Sequence, residues 1–230
     1  MRDKPKLPFM YRFLRIFGRF KVHKTKFHFK EELKENAIII CNHNNSLGPL
    51  NWIFYFNHES DYWSDYRYYE SIELSRETCY NDFINYGDGK KIARLKAKIS
   101  AGCFSYAKNK AGHIIYVYND MRFILTIKQS IKSYNDDKFV ILFADDPSNV
   151  HTNDIKTFMP GAIYLAKTML NEGIDPNIVL AHIDKKGKNI YVDKPVKFSK
   201  YNDLSDDEIM NLFKDRINNQ LEEEFKNEKK

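Results

Sequence analysis

Nowhere in the 230 residues does an apolar run reach eighteen in a row, so the sequence predicts no helix that spans a bilayer. The basic start lacks a clean apolar core and a small-residue cleavage site, which argues against a secretory leader. Cysteine is scarce. Cys41, Cys79 and Cys103 have neither metal-ligand spacing nor an even count for pairing, and they fit a reducing compartment. There is no internal repeat and no low-complexity tract. Acid is nearly missing from the first 30 residues, where ten Lys and Arg side chains stand against Asp3 alone. The glycines of Gly87-Asp88-Gly89-Lys90-Lys91 lack the four-residue spacer and the hydroxyl of a phosphate loop. The motifs of nucleic-acid binders are absent too, and the basic residues crowd into one end, so no nucleic-acid partner is expected.

Against these absences, hydrophobic residues make up 43% and charged residues 30%, the balance of a globular chain. Aromatic residues reach 15%, which points to contact with something apolar or flat. The net charge of +6 favours an anionic partner. Residues 1–30 supply most of that excess. Phe9, Phe13, Ile16, Phe17 and Phe20 recur at three- and four-residue steps, with Arg12, Arg15 and Arg19 on another face. This is a basic amphipathic helix, which either lies in the interface of an anionic membrane or docks on the protein's own core. Residues 31–230 then read as one α/β domain.

The stretch from Ala37 to Pro49 organises that domain. Ala37 to Cys41 is short, uncharged and rich in β-branched residues, a strand buried on both faces. It ends in polar Asn42-His43-Asn44-Asn45-Ser46, and Gly48-Pro49 then turns the chain into a helix. A histidine at the end of a buried strand, among side chains able to hold its ring, is a candidate general base. Residues 57–87 are dense in aromatics and acids, either a wall for an acyl chain or a helical pair with ordinary aromatic packing. Residues 90–108 are helical and basic. Further strands are predicted at His113–Tyr118, Phe139–Phe143, Asn177–Ile183 and Asn189–Val192. Helices are predicted at Arg122–Tyr134 and Phe158–Leu170, and one continuous helix over Ser205–Phe225 is opened by a capping box of Ser205 and Glu208. Strands alternating with helices predict a mostly parallel or mixed central sheet covered by helices. Asp145-Asp146 after a hydrophobic strand hints at a Mg²⁺ site, but with no phosphate loop and no further acid pairs no metal is expected.

Several separated stretches together resemble the glycerolipid acyltransferases of the 1-acylglycerol-3-phosphate acyltransferase type. Asn42-His43 resembles that family's Asn-His block. Gly112 to Asn119 resembles its strand ending in Pro-Val-x-Arg. Phe143-Ala144-Asp145-Asp146 resembles its Phe-Pro-Glu-Gly block, and Pro160 to Ala166 its Gly-Ala-x-x-Leu-Ala helix. The family's acid five residues after the histidine falls on Gly48, its arginine on Asn119, and its glutamate and glycine on Asp145 and Asp146. The resemblance implies an acyltransferase-like fold and transfer of a fatty acyl group from an acyl-CoA or acyl carrier protein thioester to a lysophospholipid-like acceptor. No cofactor beyond that co-substrate is implied. His43 would be the base, and Asp145 or Asp146 the carboxylate that orients it. Asn42, Ser46, Gly48, Asn119, Arg122 and Phe143 would line the substrate site, with Arg122, Lys128 or the helix after Pro49 receiving a phosphate. The implied location is cytoplasmic, peripheral on the inner face of the membrane. The alternative is a catalytically impaired relative that binds lipid or membrane without turnover.

Overall fold

A computed structural model describes residues 24–43, 48–110, 113–146 and 154–227. The expected N-terminal helix between Phe9 and Phe20, and Ser46, lie outside these residues. The fold is mixed α/β, with a largely parallel sheet covered by helices. The chain forms two compact units, one of residues up to Asp61 and from Ile127 on, the other of Tyr62–Thr126.

The first unit is built on β1 (Lys26–Phe29), β2 (Ile38–Cys41), β5 (Phe139–Phe143), β6 (Asn177–Ile183), β7 (Asn189–Val192) and β8 (Val196–Lys197). Its strands run in the order β1-β7-β6-β2-β5. β2 lies parallel to both β5 and β6, and β1 parallel to β7. β6 pairs antiparallel with β7 at one end and with β8 at the other. Every residue of β2 and β6 is buried, as the uncharged β-branched run predicts for a strand covered on both faces. Burying each isoleucine of Ile38-Ile39-Ile40 contributes roughly 1.5–3 kcal/mol.

Two sets of aromatic side chains mark the two faces of this sheet. On one, helix α1 (Gly48–Tyr55) buries Trp52 edge-on against Phe27 and Phe56, with ring centroids 5.1 and 5.0 Å away. On the other, Tyr191 of β7 stacks on its register neighbours His28 of β1 and His182 of β6, at 5.2 and 6.4 Å. Phe225 of the C-terminal helix closes over Tyr191 at 5.4 Å.

That C-terminal segment is one helical run with an interruption. The capping box is present, with the Ser205 hydroxyl accepting from the Glu208 amide and Glu208 bonding back to Ser205. Helix α6 (Asp206–Asp215) passes into a π-helical turn at Arg216–Gln220 and on into α7 (Leu221–Asn227). The turn is put to use: Arg216 donates to Asp193 at 2.8 Å, and the Asn218 amide clasps both main-chain groups of Ile155, at 2.8 and 3.0 Å. Ile209, Phe213, Ile217 and Leu221 are buried, whereas Leu212 is exposed.

The second unit takes in most of β3 (Ser60–Asp65), which pairs parallel with β4 (Ile114–Val117). Helix α2 (Ile72–Asn85), capped by the Ser71 hydroxyl, packs against α3 (Lys90–Lys110). The aromatic stretch of residues 57–87, read from the sequence as an acyl-chain wall or a helical pair, begins with a strand and holds one α-helix. Tyr69 is buried, 5.5 Å from Tyr116 and 5.3 Å from Phe104, so these rings serve as packing. Helix α4 (Phe123–Asn135) begins in this unit and leads to β5, and α5 (Gly161–Asn171) precedes β6.

Candidate active site

β2 and β5 run parallel with Cys41 opposite Phe143. Two residues further along each chain stand His43 and Asp145. The equal offset brings them together, and the His43 amide N–H donates to Asp145 Oδ2. His43 is half-buried, and its ring lies edge-on to Phe143 at 5.2 Å. The carboxylate expected to orient the base thus holds it by the main chain.

The segment after β5 is locked in turn. Ala144 donates to the Cys41 carbonyl at 3.0 Å and accepts from Met159 at 2.8 Å, Asp146 donates to the Thr157 carbonyl at 3.2 Å, and Asp145 bridges Phe158. Asp146 itself is half-buried. Asp145 is buried, and its Oδ1 has no hydrogen-bond partner among the described residues. An unsatisfied buried acceptor costs about 1–3 kcal/mol and stands ready for a donor. Burial pushes the Asp145 carboxyl up to about 6, Asp154 adds to the shift, and the His43 N–H works against it. A buried carboxyl with a raised pKa beside a strand-end histidine makes the pair the candidate site.

Neighbouring groups have other tasks. Asn42 is wholly buried. Its amide nitrogen donates to the Ile183 carbonyl at 3.0 Å, and its oxygen accepts from the Ile183 N–H at 2.7 Å. The side chain expected at the substrate thereby latches the end of β2 to the end of β6. The Cys41 thiol is pushed well above its ordinary range, first by burial and then by the Asp145 charge, so it is held protonated and is no nucleophile. Gly48 opens α1 directly against the histidine. A Cβ built there would stand 1.9 Å from the His43 carbonyl oxygen, so no side chain fits without moving the backbone. The sequence shows only that the resembled family's acid is missing at Gly48; the Gly-Pro pair after a polar turn is the one signal that this position needs a glycine.

Asn119 and Arg122 belong to the second unit. Asn119 is exposed. The Arg122 guanidinium forms a fork on Asp120, reaches Glu70 at 3.3 Å and lies over the rings of Tyr66 and Tyr118 at 4.7 and 4.6 Å. Two carboxylates already answer its charge.

His182 is a further titratable group that its surroundings in the sequence, an otherwise apolar strand, make conspicuous. It is buried on β6 with its Nε2 3.5 Å from Glu222 of α7, and burial lowers its pKa. Among the described residues no group of three His, Cys, Asp or Glu side chains is placed to hold a metal ion. Among them, too, no helix is long and apolar enough to cross a membrane. No family model matches the chain, and neither the curated proteins nor the solved structures contain a match to it.

Proposed function

We propose that this chain is an O-acyltransferase, moving a fatty acyl group from a CoA or acyl carrier protein thioester to a hydroxyl of a lysophospholipid-like acceptor. It would work peripherally on the cytoplasmic inner face of a membrane containing anionic lipid. The observation that supports this reading is the pairing of His43 with Asp145 just past the ends of two adjacent parallel strands, the place where open α/β sheets take their ligands.

The chemistry asks for one base. The His43 imidazole accepts the proton of the acceptor hydroxyl as its oxygen attacks the thioester carbonyl. The C–O bond forms, the C–S bond breaks, and the departing thiolate takes the proton back from the imidazolium. No acyl-enzyme is needed. Asp145 is a positioning residue, fixing the His43 main chain so that the ring keeps one place against Phe143.

A second reading, lipid binding without turnover, is favoured by Gly48, where no orienting acid can be carried, and by Arg122, already engaged by Asp120 and Glu70. One assay separates the two. Purified full chain is given labelled acyl-CoA or acyl carrier protein and a panel of lysophospholipids, with His43→Ala in parallel. Labelled diacyl product from the native chain alone supports transfer. Vesicle retention without product supports the second reading, and equal product from both proteins removes His43 as the base.

A further inference from the structure

Helix α3 (Lys90–Lys110) is built inside out. Its inward face, packed toward α2, is made of the smallest apolar residues, Ala93, Ala97 and Ala101, all fully buried. Its outward face carries the large aliphatics: Ile92, Leu95 and Ile99 are 55%, 63% and 61% exposed. Burial in a core would reverse that arrangement, since leucine and isoleucine gain far more than alanine on leaving water. At about 100° per residue, Ile92, Leu95, Ile99 and Cys103 fall within an arc of about 80°, a stripe running roughly 16 Å along the helix. Single exposed aliphatics need no account, but a continuous stripe of them does.

The charges around the stripe say what covers it. The helix holds seven Lys and Arg residues and no Asp or Glu. Lys91 and Lys98 stand along one side of the stripe, and Lys96, tied to Asp88 at 2.7 Å, stands on the other. A second copy of the chain brought face to face would set these like charges against each other. An apolar strip bordered by cations instead matches the layering of an anionic bilayer, with acyl chains beneath a plane of negative headgroups.

We infer that the Ile92-Leu95-Ile99 face of α3 is a membrane contact, lying in the headgroup region of an anionic phospholipid bilayer with the flanking lysines at the phosphates. The inference deepens the membrane-partner part of the acyl-transfer reading, and rests on it for the choice of a lipid film over an acidic protein surface.

Cys103 supplies the probe, since it is the exposed thiol on the stripe while Cys41 and Cys79 are buried. The full chain carrying an environment-sensitive fluorophore on Cys103 is mixed with vesicles of phosphatidylcholine alone or with phosphatidylglycerol added. The anionic vesicles are expected to shift the emission to the blue and to allow quenching by nitroxides on the acyl chains; neutral vesicles are not. Ile92→Ser/Leu95→Ser/Ile99→Ser abolishes the shift. Lys91→Glu/Lys98→Glu weakens it about tenfold or more, and serves as an independent test should the first variant fold poorly. A label that stays in water while the protein sediments with anionic vesicles overturns the inference, as does loss of an existing self-association in the serine variant. His43→Ala should shift like the native chain. Insertion without acyl transfer therefore sinks the enzymatic reading alone, and transfer without insertion sinks this inference alone.

Discussion

Gly48 sits where any side chain would press on the carbonyl of the candidate base. Installing the acid that the resembled acyltransferases carry there should not rescue an orienting partner. Gly48→Asp is expected to lower stability by about 1–3 kcal/mol or more, because the backbone must shift to admit a Cβ 1.9 Å from His43 O. Urea denaturation reads this directly, and a variant as stable as the native chain would contradict the packing described. Asp145 carries a pH signature of its own. Its pKa is raised to about 6, chiefly by burial, so the fold prefers the protonated form. The unfolded carboxyl titrates near 4. The stability this group contributes is therefore complete below about pH 4 and is lost as the pH rises through 6. Asp145→Asn keeps an acceptor for the His43 N–H but cannot ionise. It should exceed the native chain by about 2–3 kcal/mol above pH 7, with the gap closing below pH 4. A gap that widens toward acid would reverse the assignment.

At the scale of elements, Asn42 acts as a missing rung between β2 and β6. Asn42→Ala leaves the Ile183 N–H and carbonyl buried without this partner. It should destabilise the fold by roughly 2–4 kcal/mol and speed hydrogen exchange at the Ile183 amide. Unchanged exchange there would deny the latch. The same strands show what sequence alone can yield. Ile38–Cys41, Phe139–Phe143 and Asn177–Ile183 are legible because an uncharged β-branched run has few other places to go than a sheet centre. β3 is not, because Ser60-Asp61-Tyr62-Trp63-Ser64-Asp65 mixes acids with aromatics, and tertiary pairing with β4 decides its state. The π-turn left a trace that is easy to pass over. Ile209, Phe213, Ile217, Leu221 and Phe225 are spaced by four throughout, and in a plain α-helix each such step drifts by about 40°. A stripe so spaced stays on one face only if the helix widens, and it does so at Arg216–Gln220. At the candidate site, a polar turn after each of two apolar strands was legible, but that β2 and β5 are neighbours with matched ends is shown only by their pairing. That Asp145 bonds the main chain of His43, and that Asn42 serves the sheet, was not legible either, since spacing carries no information about which atoms meet.

For the whole molecule, the charge excess and the aromatic content have separate physical uses. Around Tyr69 and Trp52 the aromatic rings pack between strands and helices. The positive charge is concentrated in the first 30 residues and again along α3. Both would favour an anionic surface, and binding to such a surface is expected to fall with ionic strength. The central claim, however, rests on one imidazole. It is tested most directly by comparing labelled acyl transfer to a lysophospholipid by the native chain and by His43→Ala, both shown to be folded by the same thermal transition. The account predicts that the alanine variant loses about 10²–10⁴-fold in turnover; product formed by both proteins at the same rate would contradict it.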